Sequence, residues 1–134
     1  MRILALDLGE ARVGVALSDP LGMTAQPLEV VERYRLLKRL PELIAEYEVQ
    51  RIVVGLPLRL DGSKGQAAQA VKAAAKEIEA AVKLPVELWD ERLTTAQAQR
   101  MLIGADVSRK GRKSNVDKVA AALILQSYLD AKSR

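Results

Sequence analysis

Cysteine and histidine are both absent from the chain. Without Cys there can be no disulfide, thiolate zinc site or Cys nucleophile, and nothing signals an oxidising compartment. Without His there is no Ser–His–Asp triad, no His-ligated zinc and no ordinary neutral-pH base. Chemistry here must run on carboxylates, hydroxyls, Lys, Arg or a bound ion. Aromatics are only 3% of residues, Trp89 and three Tyr, too few for a base-stacking platform of the RRM or OB type. Long apolar runs are lacking too. The longest, Val119 to Leu125, is far too short to span a bilayer. Met1-Arg2 precedes a four-residue apolar run that Asp7 ends, shorter than a signal peptide requires. The expectation is a soluble, cytoplasmic protein with no membrane partner.

What is present suits one domain over residues 1–134. The chain is 49% hydrophobic, and a domain this size buries roughly two-thirds of its unfolded surface without staples. The net charge is +4 and unevenly placed. Arg109, Lys110, Arg112, Lys113 and Lys118 face only Asp117 within residues 109–118, so this window carries the whole net charge. A basic patch on a neutral body points to an anionic partner; a solvated basic loop is the plainer alternative.

The patterning predicts a β-β-β-α-β-α-β-α-α order. Ile3 to Leu8 reads as a central strand covered on both faces. Arg12 to Ser18 alternates as its hairpin partner, and Met23 to Val31 forms a third strand that Pro27 assigns to a sheet edge. Apolar residues from Tyr34 to Tyr47 recur at helical spacing, with Pro41 predicting a kink or a fresh start. Arg51 to Leu56 reads as a buried strand ended by Gly55 and Pro57. Ser63 with Gln66 predicts a capped helix to about Lys83, and Val86 to Asp90 a last strand. Thr94 with Gln97 opens a helix ending near Gly104, residues 105–113 form a basic loop, and Ser114 or Asn115 opens the final helix. The fold class is α/β: a mixed five-stranded sheet, first an antiparallel meander and then parallel strands, flanked by helices.

Three acids stand out. Asp7 lies between Leu6 and Leu8 in the central strand, where a carboxylate is costly unless paired or bound to a cation; pairing with Arg12 is the structural alternative. Asp90 and Glu91 follow the last strand equally well placed, since ligands gather at the carboxyl ends of parallel strands. Asp117 taken alone reads as a helix-start acid in a capping box with Ser114. Together, with no His or Cys, such carboxylates are the natural home of a hard cation such as Mg²⁺. Two ions about 4 Å apart can activate water and stabilise the leaving oxygen of a phosphodiester, and the basic loop would hold a polyanionic strand. Gly9 to Gly14 has P-loop spacing, but Val15 stands where Lys is needed.

The ordered motifs also resemble a known family. Asp7-Leu8-Gly9, Arg12-Val13-Gly14-Val15-Ala16, Ser18-Asp19-Pro20, Val54-Gly55-Leu56-Pro57-Leu58, Asp61-Gly62, Asp90-Glu91-Arg92-Leu93-Thr94-Thr95 and Val116-Asp117 with Ala120-Ala121 are similar to the YqgF/RuvX family over almost the full chain. That resemblance implies an RNase H-like fold and a nuclease of pre-16S ribosomal RNA or a Holliday junction resolvase. It implies Asp7, Glu91 and Asp117 as the catalytic, metal-binding acids, choosing Glu91 over Asp90, with Mg²⁺ or Mn²⁺ as two ions. Arg12, Arg92, Arg109, Lys110, Arg112 and Lys113 are the expected phosphate contacts. Family members often carry a further Lys just before the final acid, where this chain has Ser114 and Asn115. The expected partner is nucleic acid, RNA or DNA, and junction resolution would require a homodimer. A non-catalytic nucleic-acid binder is one rival reading. An actin-like ATPase or sugar kinase is another, although those pair two such domains.

Overall fold

The computed structural model describes residues 2–57, 65–91 and 112–132, with the backbone alone described at 112–117. The strands β1 (Arg2–Leu8), β2 (Arg12–Ser18), β3 (Ala25–Glu32), β4 (Val49–Leu56) and β5 (Val86–Asp90) form one sheet in the order β3-β2-β1-β4-β5. β1 runs antiparallel to β2 and parallel to β4, β2–β3 is antiparallel and β4–β5 parallel. The expected mixed sheet is thus observed, with β1 at its centre. Pro27 sits on the edge strand β3, opposite Ala16 and beside a register irregularity in β2 between Val15 and Ala16.

The period of two along each strand separates two cores. Leu4, Leu6, Val13, Val15, Ile52 and Val54 pack with Leu36, Leu40 and Leu43 of helix α1 (Leu36–Tyr47) and with Ala68, Val71 and Ile78 of helix α2 (Gln66–Val82). On the other face the strands present small residues. Ala5, Ala16 and Val53 meet Ala121, Ala122, Ile124, Leu125 and Tyr128 of helix α3 (Arg112–Lys132). Small side chains on both partners let α3 lie close to the sheet.

Five polar and aromatic contacts fix the register of α3. Trp89 Nε1 donates to Ser127 Oγ at 3.2 Å, and the Trp89 and Tyr128 rings meet edge to face at 5.3 Å. Arg51 donates to the Tyr128 hydroxyl at 3.0 Å. The Gln126 side chain accepts from Ala25 N at 2.9 Å and donates to the Met23 carbonyl at 3.1 Å. These contacts join the C-terminal half of α3 to the starts of β3 and β4 and to β5. The helix therefore runs opposite to β1, with its N-terminal end at the carboxyl ends of the parallel strands.

Several local expectations are corrected. A 3₁₀ turn covers Arg33–Arg35 and α1 begins at Leu36, then continues through Pro41 without restarting. Gly55 lies inside β4 rather than ending it. α2 starts at Gln66 with Gly65 in extended conformation as its N-cap, not at Ser63; glycine is an acceptable N-cap where no side chain closes the turn. α3 starts at Arg112, not at Ser114 or Asn115. Arg and Lys are strong helix formers and outweigh the cap preference of the two residues after them. Arg112 and Lys113 thus belong to a helix rather than a basic loop, and Asp117 falls in the second turn instead of the first. The expected helix over 94–104 and the loop at 105–111 lie outside the described residues.

Candidate active site

The carboxyl ends of β1, β4 and β5 converge at one end of the sheet, and Asp7 stands there on the α3 face. Ile3 and Ala5, two and four residues earlier, belong to the α3-side core, so the strand period directs Asp7 the same way. Asp7 pairs with Gly14 of β2. On the other side Leu6 pairs with Val54, and Gly55 is the next residue along β4. The half-buried carboxylate therefore has neighbours without side chains on this face.

Gly55 makes the second half of the site. A Cβ built on it would meet Ile124 Cδ1 at 2.5 Å, Glu91 Cγ at 3.1 Å and Glu91 Cδ at 3.3 Å. The Glu91 side chain thus lies across the β4 backbone, in space that only glycine leaves open, and under α3. Glu91 directly follows β5. Its half-buried carboxyl is pushed up to about 7, first by burial, then by the negative charge of Asp7, then by that of Asp90. This mutual influence brings Asp7 and Glu91, 84 positions apart in the chain, into one electrostatic unit. The face of β5 that meets α3 separates Glu91 from Asp90. Trp89 contacts α3, so Glu91 shares its face and Asp90 points to the other.

Asp117 lies in the N-terminal part of α3, at the same end of the sheet. It precedes Ile124 by seven residues along the helix. Its side chain is outside the described residues. Among the described residues no three acids are grouped as a metal cage; Asp7 and Glu91 are the described part of the expected set. Carboxylate oxygens crowded by like charge are the donor set that a hard divalent cation favours.

The expected phosphate contacts divide similarly. Arg12 begins β2 and pairs with Glu32, at the same end of the sheet as Asp7. Its carbonyl accepts from Gly9 N at 2.9 Å and closes the β1–β2 turn. A Cβ on Gly9 would lie 2.6 Å from that oxygen, so the turn requires glycine. Arg112 and Lys113 begin α3, whose N-terminal end carries the positive pole of the helix. Arg92, Arg109 and Lys110 lie outside the described residues.

Comparison with known proteins places this geometry. Among solved structures, T. thermophilus RuvC in complex with Holliday junction substrate aligns with TM-score 0.63 at 16% identity, covering 99% of this chain and 96% of that one. A Fowlpox virus resolvase with substrate Holliday junction DNA aligns with TM-score 0.58 at 13% identity over the whole of both chains. These likenesses establish the RNase H-like fold of the resolvases. Relatives called "Putative pre-16S rRNA nuclease" are much nearer in sequence. The Desulforamulus reducens protein is 51% identical, with 98% of each chain covered. The protein of Geobacillus sp. (strain WCH70) is 56% identical, covering 98% of this chain and 99% of that one. With the model described as "RuvX: Holliday junction resolvase" matching residues 1–131, this chain belongs to the RuvX family.

Proposed function

We propose that this protein is a divalent-metal-dependent nuclease that hydrolyses phosphodiester bonds, maturing the 5′ end of pre-16S ribosomal RNA in the cytoplasm, with residues 1–134 as one nuclease domain. The observation that carries the reading is the Asp7–Glu91 pair. One acid in β1 and one just after the parallel strand β5, the latter lying over Gly55, are close enough for one charge to raise the proton affinity of the other. Among the described residues, after burial, the charges that act on Glu91 are those of two acids, Asp7 and Asp90. The relatives' names supply the substrate.

Asp7, Glu91 and Asp117 would hold Mg²⁺ or Mn²⁺, in the two-ion arrangement common to phosphodiester hydrolysis. Ions bound there supply a water of lowered pKa and neutralise the scissile phosphate. The chain's own part is to orient the carboxylates and hold the strand. Gly55 leaves room for the Glu91 side chain to lie over β4 beneath α3. Arg12, Arg92, Arg109, Lys110, Arg112 and Lys113 would hold flanking phosphates, which positions the strand without reading its sequence.

Holliday junction resolution is the second reading, favoured by the description of the family model. It needs two sites facing two strands, hence a homodimer. One assay separates the readings: a pre-16S fragment with its 5′ extension, single-stranded DNA and a four-way DNA junction, each with Mg²⁺, Mn²⁺ or EDTA. Metal-dependent cleavage of the RNA extension is expected. Paired symmetrical cuts in the junction by a dimer, with the RNA left intact, would select the second reading. No cleavage of any substrate with either metal would overturn both.

A further inference from the structure

The chain has only four aromatic residues, Tyr34, Tyr47, Trp89 and Tyr128, and three are committed to packing. Tyr128 is buried in the α3-side core, Trp89 meets it edge to face, and Tyr47 packs on the other core beneath the Arg2 guanidinium. Tyr34 is 82% exposed. It is the middle residue of Arg33-Tyr34-Arg35, the 3₁₀ turn after β3.

That turn belongs to the active-site end of the molecule. Glu32, the last residue of β3, pairs with Arg12. Arg33 N donates to the Ala11 carbonyl at 2.8 Å, and the Arg33 guanidinium donates to the Gly9 carbonyl at 2.7 Å. Gly9 is two residues from Asp7. Two strand spacings, about 10 Å, separate β3 from β1, a span that a few nucleotides cover. The Tyr34 side chain stands in solvent at this turn. Beside it a groove of about 230 Å³ runs between this turn and α2, with Leu36, Leu37 and Ile78 among its apolar lining.

We propose that Tyr34 stacks an unpaired base of the substrate strand while Arg33 and Arg35 hold the adjoining phosphates, so that the site takes a single-stranded segment beside the cleaved bond. The inference rests on the nuclease reading and narrows its substrate class. An exposed ring flanked in sequence by two arginines matches the alternation of base and phosphate along an unpaired strand, whereas the bases of a continuous duplex are already stacked on each other. A single ring is not a platform that reads sequence, so the contact is tolerant of base identity.

The test is a binding titration with Ca²⁺ in place of Mg²⁺, so that strands are held rather than cut. The probes are a short single-stranded RNA carrying 2-aminopurine and the same sequence as a blunt duplex. Tyr34→Ala and Tyr34→Leu should weaken single-strand binding between about 5- and 150-fold, abolish the 2-aminopurine quench and leave duplex binding unchanged. Tyr34→Phe should retain both affinity and quench. Wild-type binding that Tyr34→Ala leaves intact overturns this inference alone. Equal losses on both probes also overturn it. Wild-type protein that binds neither probe and cuts neither with Mg²⁺ overturns the nuclease reading together with it.

Discussion

Replacing Glu91 with Gln removes one negative charge and little volume, and its effect on stability should change with pH. The Glu91 carboxyl titrates near 7 rather than near its ordinary 4.5, because burial and the charges of Asp7 and Asp90 disfavour ionisation. The folded protein therefore binds more protons than the unfolded chain between these two values. Stability conferred by the proton is complete below about 4.5 and is lost as pH rises toward 7. At 1.36 kcal/mol per pH unit the shift corresponds to about 3 kcal/mol. The side chain is only half-buried, and solvent screening reduces this to about 1–2 kcal/mol. Urea denaturation in EDTA should show Glu91→Gln more stable than wild type by that amount at pH 8 and equal to it at pH 4. Added Mg²⁺ should then stabilise the wild type and not the variant, since a ligand of the native state alone raises stability by mass action. Cleavage should be lost throughout. A variant that is less stable than wild type at pH 8 without metal would refute the argument. It would mean that Glu91 is held by a buried cationic group, whose loss of a partner is costly.

Gly55→Ala should cost about 1 kcal/mol of stability in a denaturant melt, because the new methyl meets Ile124 Cδ1 at 2.5 Å in a packed core. Adding Ile124→Val should restore stability but not cleavage, since the Glu91 carbons at 3.1 and 3.3 Å are still displaced. Asp117→Asn should fold with unchanged helix content by circular dichroism and lose metal-dependent cleavage; full activity would remove Asp117 from the site. Lys83→Gly should raise stability by about 0.5–1 kcal/mol in the same melts, because Lys83 ends α2 at φ 59, a conformation glycine adopts without strain.

The sheet could be read from the sequence because its signals are repeated. The alternation of Val13, Val15 and Leu17 spans a whole strand, and Pro27 excludes its own strand from the sheet interior. Asp7 was visible because a carboxylate inside an apolar strand is costly. Helix starts depart from the sequence expectation where a single residue type carries the signal. Ser63 and Ser114 are favourable caps, but Gly65 and Arg112 define the observed starts. The role of Gly55 was hidden for a different reason. Locally a glycine near a strand end signals termination, and only the packing of α3 and Glu91 over it shows that the position is needed for space. Glu91 and Asp90 are neighbours in sequence, and the choice between them required knowing which face of β5 meets α3.

The clamp at the far end of α3 has a consequence for how mutations act at a distance. Ser127, Tyr128 and Gln126 fasten the helix to Trp89, Arg51 and Ala25, about 15 Å along the axis from Asp117. These contacts pin the helix at its tail, and one acid is carried near its head. Loosening the pin would swing the head out of alignment, so screens for inactive mutants should recover changes at Trp89 and Tyr128 that leave every acid in place.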